Sequence, residues 1–154
     1  MKSGKSWTSY NLNFHELECK NTEIINNDEI LVKTLKLKHR IPCTGFLFQS
    51  KKISDISYAY CSDTAYNEEL SLLVKDVNIL YHESTFLSLH KDLAVKTKHS
   101  TAIEAGKIAS KANVSKLILG HFSSRYNDLN EFKNESSSVF KNTFIAEEGK
   151  IYSF

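Results

Sequence analysis

The alternation of apolar and polar positions divides this chain into two stretches of different rhythm. Tyr10-Asn11-Leu12-Asn13-Phe14 alternates apolar with polar, as a half-buried strand does, and Ile30 to Leu37 is β-branched and leucine-rich with interleaved lysines. Asn26-Asn27-Asp28 supplies turn residues before that second strand, while Pro42 and Gly45 punctuate the passage into Phe46-Leu47-Phe48. Residues 10–50 are therefore expected to be mostly β, as two or three strands joined by turns.

From Tyr58 onward, short apolar runs alternate with segments whose apolar residues recur every three or four positions, an α/β rhythm that continues to residue 154. Tyr58 to Cys61 reads as a strand. Leu70, Leu73, Val74 and Val77 mark a helix starting near Asn67, and a strand beginning at Val77 competes with it for that residue. Thr101-Ala102-Ile103-Glu104 has the spacing of a capping box. It opens a helix with Ala102, Ala105, Ala109 and Ala112 on one face and Asn113 at its end. Lys116 to Gly120 reads as a buried strand. Asp128 and Glu131 repeat the capping-box spacing ahead of a stripe of Leu129, Phe132 and Val139. Thr143 to Ala146, a Glu-Glu-Gly turn and Ile151 to Phe154 close the chain. No repeat or linker divides it, so residues 1–154 are expected to form one domain.

Composition narrows the picture only a little. A chain of 154 residues, 41% hydrophobic and 25% charged, is long enough to bury one core. A net charge of +2, from 20 basic against 18 acidic residues, attracts polyanions mildly and does not by itself indicate nucleic-acid binding. The three cysteines, Cys19, Cys43 and Cys61, are odd in number, lack CxxC spacing and follow no signal-like segment, which favours a reducing cytoplasm. No apolar run approaches the roughly 20 residues of a membrane span.

The candidate chemistry sits where strands end. Ser62-Asp63-Thr64, His82-Glu83-Ser84-Thr85 and His121-Phe122-Ser123-Ser124-Arg125 each follow a strand, and His99-Ser100-Thr101 precedes a helix. In open α/β sheets, ligand-binding groups gather beyond the carboxyl ends of the strands. Imidazole and carboxylate converging there would suit a hydrolytic centre built on a metal such as zinc. Each residue also has a plainer reading: Asp63 as a turn or cap residue, His82 as a hydrogen-bonded structural histidine, His99 as part of a helix terminus, Arg125 and Tyr126 as surface residues. His15, His39 and His90 have weaker claims.

Taken together, Tyr60-Cys61-Ser62-Asp63-Thr64, Tyr81-His82-Glu83-Ser84-Thr85-Phe86, His99-Ser100-Thr101-Ala102 and His121-Phe122-Ser123-Ser124-Arg125-Tyr126 resemble the motifs of ribonuclease Z in order and spacing. With His39-Arg40-Ile41-Pro42 and Gly45-Phe46 upstream, the resemblance extends over the chain from about Tyr10. It implies the C-terminal half of a metallo-β-lactamase αββα sandwich, with helices packed on a mixed sheet, and an endoribonuclease that removes 3′ trailers from precursor tRNA. It further implies that Asp63 bridges two zinc ions and that His121 ligates one. His99, oriented by Glu83, would stabilise the scissile phosphate or protonate the leaving 3′ oxygen.

Two departures qualify that expectation. The His-x-His-x-Asp-His signature that supplies most zinc ligands in this superfamily is absent from the sequence, so the chain is expected to be inactive alone and to associate with a second copy or a separate N-terminal half. The family's long Gly/Pro-rich arm for clamping tRNA would lie between Phe48 and Tyr58, where only Gln49 to Ser57 stand. Two rival readings are a non-catalytic partner subunit presenting an RNA-contacting surface and another phosphodiesterase of the same superfamily.

Overall fold

The computed structural model describes residues 10–54 and 56–154. Among these residues, seven strands lie side by side in chain order: β1 (Thr22–Asn26), β2 (Ile30–Lys36), β3 (Thr44–Ser50), β4 (Ser57–Cys61), β5 (Ile79–Glu83), β6 (Lys116–Gly120) and β7 (Thr143–Ile145). The pairs from β1 to β4 are antiparallel and those from β4 to β7 parallel. This change of pairing is the change of rhythm seen in the sequence, because tight turns can join only antiparallel neighbours and parallel ones need a crossover. The first hairpin closes on Asn27, whose Oδ1 accepts the N–H groups of Glu29 and Ile30 at 2.9 Å each.

The crossovers carry α1 (Leu70–Leu73), a 3₁₀ turn (Ser88–His90) running into α2 (Lys91–Thr97), α3 (Ala102–Ala112) and α4 (Asn130–Ser137). Helix α3 has the predicted ends: Thr101 and Glu104 form the reciprocal capping box, and Asn113 closes the helix in the left-handed region at φ 53°. Its alanine face, Ala102, Ala105, Ala109 and Ala112, is fully buried and joins Leu80, Leu117 and Leu119 of the sheet in the core. Gly106 brings α4 close, since a Cβ there would stand 2.9 Å from the Ser136 carbonyl oxygen. Phe132 of α4 is fully buried in the same core and meets the rings of Phe122 and Tyr126 edge-on.

Several expectations fail. Tyr10 to Phe14 forms no strand, and Tyr10, Leu12 and Phe14 are exposed: alternation makes a strand only where a partner edge receives it. Helix α1 is a single turn, and Val77 belongs to neither helix nor strand, because Asp76 turns the backbone at φ 57°. Helix α4 starts at Asn130 without a capping box. Asp128 instead accepts the Asn130 N–H at 2.8 Å, a local turn that competes with the cap. Strand β1 and helix α2 had no counterpart in the reading of the sequence.

Opposite the helices, register aligns Phe46, Tyr60, Tyr81, Ile118 and Phe144 straight across five strands, on a face where Tyr60 is 37% exposed. Tyr60 and Tyr81 stack at 4.8 Å, and Phe48 stacks on Tyr58 at 6.1 Å.

Candidate metal centre

Strands β2, β4, β5 and β6 run in the same direction, so their carboxyl ends share one edge of the sheet. His39, Asp63, Glu83 and His121 stand at or just past those ends, and the connection from α2 to α3 brings His99 beside them. One ligand atom each from Asp63, Glu83, His99 and His121 lies within 4.8 Å of the others. Asp63 Oδ1 is 3.2 Å from His121 Nε2 and Asp63 Oδ2 is 3.9 Å from His39 Nε2, so the carboxylate faces an imidazole on each side. His99 lies against both rings, 4.8 Å from His39 and 5.2 Å from His121 between centroids.

His39 is the residue that sequence reasoning undervalued. It follows a strand end just as the other three do, but it falls in the β-rich half, outside the α/β rhythm that marks the others. Its Nδ1 lies 2.9 Å from the Lys98 carbonyl oxygen, to which it donates. Lys98 is left-handed at φ 62° and closes α2, which aims that carbonyl out of the helix.

Glu83 is the buried anchor of the cluster. With no exposed side-chain surface, it accepts from His99 Nδ1 at 2.7 Å, Thr64 N at 2.7 Å, Thr85 Oγ1 at 2.6 Å, Ser100 N at 3.1 Å and Thr85 N at 3.3 Å. Burial pushes its carboxyl up, but the His99 and Thr85 hydrogen bonds and the neighbouring His99 charge outweigh that and hold it below the ordinary range. His99 moves the other way: the hydrogen bond to Glu83 raises it, and partial burial offsets only some of the gain. With Nδ1 committed to Glu83, His99 has Nε2 left to meet a ligand.

His121 occupies the left-handed region at φ 60°, a conformation that is costly for a residue with a Cβ and that gathers at functional sites. Two backbone bonds brace the turn, from Ser84 N to Gly120 O at 2.8 Å and from Ser123 N to Thr85 O at 3.1 Å. A Cβ on Gly120 would come within 2.0 Å of the Tyr81 hydroxyl oxygen, so a side chain there would force the Tyr81 ring to move. The His121 Nδ1 atom is 2.8 Å from Thr85 Oγ1.

The remaining candidates fall elsewhere. His82 is fully buried beside Cys61 and Leu119, with Nδ1 2.7 Å from its neighbour's carbonyl and, among the described residues, no partner for Nε2. Burial lowers its proton affinity. His90 pairs with the Tyr126 hydroxyl at 2.7 Å, and His15 lies in an exposed coil. Arg125 sits on the rim, its guanidinium 5.2 Å from the Phe86 ring, which meets His99 edge-on.

The donors present fit a borderline cation. They are nitrogen and carboxylate oxygen, and the Nδ1 atoms of His39 and His121 are already hydrogen-bonded, which leaves each Nε2 to a metal.

Architecture and cluster together define a class: the chain has the metallo-β-lactamase fold. It matches the metallo-β-lactamase fold protein YhfI of Bacillus subtilis with a TM-score of 0.75 at 20% identity, over 85% of this chain and 52% of that one. Within that class it is similar to ribonuclease Z. The Cytophaga hutchinsonii ribonuclease Z is 35% identical over 199 residues, covering 99% of this chain and 64% of the relative. That of Azobacteroides pseudotrichonymphae is 38% identical over 90% of this chain and 58% of the relative. Human tRNase Z, short form, superposes with a TM-score of 0.71 at 25% identity, over 88% of this chain and 47% of that one. The chain spans about three fifths of the length of the curated relatives it matches. No family model matches it. Among the described residues, no helix is long and apolar enough to cross a membrane.

Proposed function

We propose that this chain supplies one half of a zinc-dependent endoribonuclease of the ribonuclease Z type, which removes 3′ trailers from precursor tRNA. The observation that carries the reading is Asp63 set between the Nε2 atoms of His121 and His39, beside the buried Glu83–His99 pair.

In this reading Asp63, His121 and His39 are the residues of this chain that would hold the zinc ions. Bound zinc supplies charge that polarises the phosphodiester and activates water at neutral pH. The protein groups do the rest. Asp63, His39 and His121 fix the cations' places. Glu83 holds His99 by Nδ1 and raises its proton affinity, so that Nε2–H is presented to the scissile phosphate and gives its proton to the leaving 3′ oxygen. Arg125, steadied on Phe86 and by its Nε bond to Ser123, lies within reach of substrate phosphate at the rim.

The full ligand set requires further donors, which we assign to an N-terminal half that bears a His-x-His-x-Asp-His segment and packs on the aromatic sheet face. Precursor-tRNA cleavage and zinc content, measured for the chain alone and mixed with such a half, test the reading. Cleavage in the mixture that disappears in Asp63→Ala supports it. A chain that takes no metal and stays inactive in both settings overturns it in favour of a non-catalytic subunit. Activity of a self-associated chain alone would assign the missing donors to a second copy.

A further inference from the structure

We propose that Thr85 is the positioning residue of this centre: its hydroxyl donates to Glu83 and accepts from His121 Nδ1–H. This fixes the His121 tautomer with Nε2 free for a cation and joins the His99–Glu83 pair to the metal ligands. The inference rests on the metal-centre reading above and deepens it by adding a residue that acts through His121.

The argument is one of counting hydrogens. Thr85 Oγ1 is 2.6 Å from Glu83 Oε2 and 2.8 Å from His121 Nδ1, and a hydroxyl has a single hydrogen for two neighbours. Glu83 is an acceptor of five bonds with no exposed side-chain surface, so the hydroxyl hydrogen belongs to it. If the hydrogen pointed to His121 instead, two oxygen lone pairs would face each other at 2.6 Å, which a buried site penalises heavily. Nδ1 therefore carries a proton, which leaves Nε2, 3.2 Å from Asp63 Oδ1, as the atom that would take a cation shared with that carboxylate.

Thr85 is also held on both sides. Its N–H donates to Glu83 Oε2 at 3.3 Å, its carbonyl accepts from Ser123 N at 3.1 Å, and only 7% of its surface is exposed. A β-branched side chain with few rotamers, clamped at both backbone groups, holds its hydroxyl still. The same side chain thus connects the proton donor, through Glu83, to the metal ligand, through Nδ1. Partners of this kind set ligand orientation and basicity.

The test uses the full chain, free of metal and labelled with nitrogen-15, at about pH 8, where imidazoles of ordinary pKa are neutral. Long-range proton–nitrogen correlation reads the His121 tautomer directly. The wild type is expected as the Nδ1–H form, Thr85→Val as a mixture or the Nε2–H form, and Thr85→Ser as the wild-type form. In a parallel titration with cobalt(II), Thr85→Val is expected to bind about tenfold more weakly or worse, and Thr85→Ser close to wild type. An Nε2–H tautomer in the wild type overturns the proposal without any variant, as does a Thr85→Val chain whose tautomer and cobalt affinity are unchanged. A tautomer that switches while no form takes cobalt upholds the Thr85 role and removes the metal reading, so the two failures are distinct.

Discussion

Replacing Glu83 by glutamine keeps the side chain's shape while removing the charge that organises the cluster. Five donors converge on this carboxylate, and an amide must turn its NH₂ toward some of them. Because Glu83 is fully buried and His99 only 11% exposed at the side chain, solvent cannot compensate. A hydrogen bond to a charged group contributes about 1.5–3 kcal/mol, and breaking one member of a buried pair costs about 3–5 kcal/mol. We expect a loss of about 3 kcal/mol in the metal-free chain. With an m value of roughly 2 kcal/mol/M, the urea midpoint falls by about 1.5 M.

The pH dependence gives a second signature. Glu83 is lowered from its ordinary 4.5, so its contribution is present above that value and is lost as pH falls through the folded pKa. His99 is raised from 6.5, so its contribution is complete below 6.5 and is lost as pH rises through the folded pKa. The pair therefore stabilises most between 4.5 and 6.5. Buried His82 has the opposite slope, being lowered, and it is present in both proteins. The wild-type minus Glu83→Gln difference in unfolding free energy isolates the pair, and it should be largest in that window and shrink above it. A midpoint shift below about 0.5 M, or parallel pH curves for the two proteins, would refute the account of Glu83 as anchor.

Three further outcomes are expected. Asp63→Asn and His39→Asn should each lower cobalt(II) affinity, Asp63→Asn more because that carboxylate faces both imidazoles; isothermal titration of each variant measures this. Gly120→Ala should destabilise by about 1–3 kcal/mol through collision with the Tyr81 ring, and adding Tyr81→Leu should restore part of the loss in chemical denaturation. Thr101→Ala removes the capping box of α3 and should cost about 1 kcal/mol, seen as a fall of a few degrees in the thermal midpoint.

The sequence was most legible where one local signal dominates. The capping box at Thr101, the alanine face behind it and the run Lys116 to Gly120 fix their elements without reference to the rest of the chain. Tyr10 to Phe14 and the Asp128 spacing misled because each pattern needs a context, a partner edge in one case and a competing turn in the other. Of the cluster, the strand-end motifs led to Asp63, Glu83 and His121, and the helix-leading motif led to His99; their roles are proposals. His39 was passed over because it closes an antiparallel strand, and only the pairing of β2 through β3 to β4 reveals that it shares an edge with the others. That Thr85 contacts both Glu83 and His121 depends on rotamers and distances, which no sequence pattern encodes.

The sheet keeps its two edges for different work. Every group of the cluster stands at one edge, whereas the Asn27 hairpin and the short turn from β3 to β4 lie at the other. That remote edge is where the chain can be lengthened without moving a donor atom. A fluorescent tag, an affinity handle or a fused partner inserted near Asp28 or Ile53 would leave the imidazoles and carboxylates undisturbed. An insertion of similar length between Cys61 and Thr64, or between Gly120 and Ser123, would scatter them.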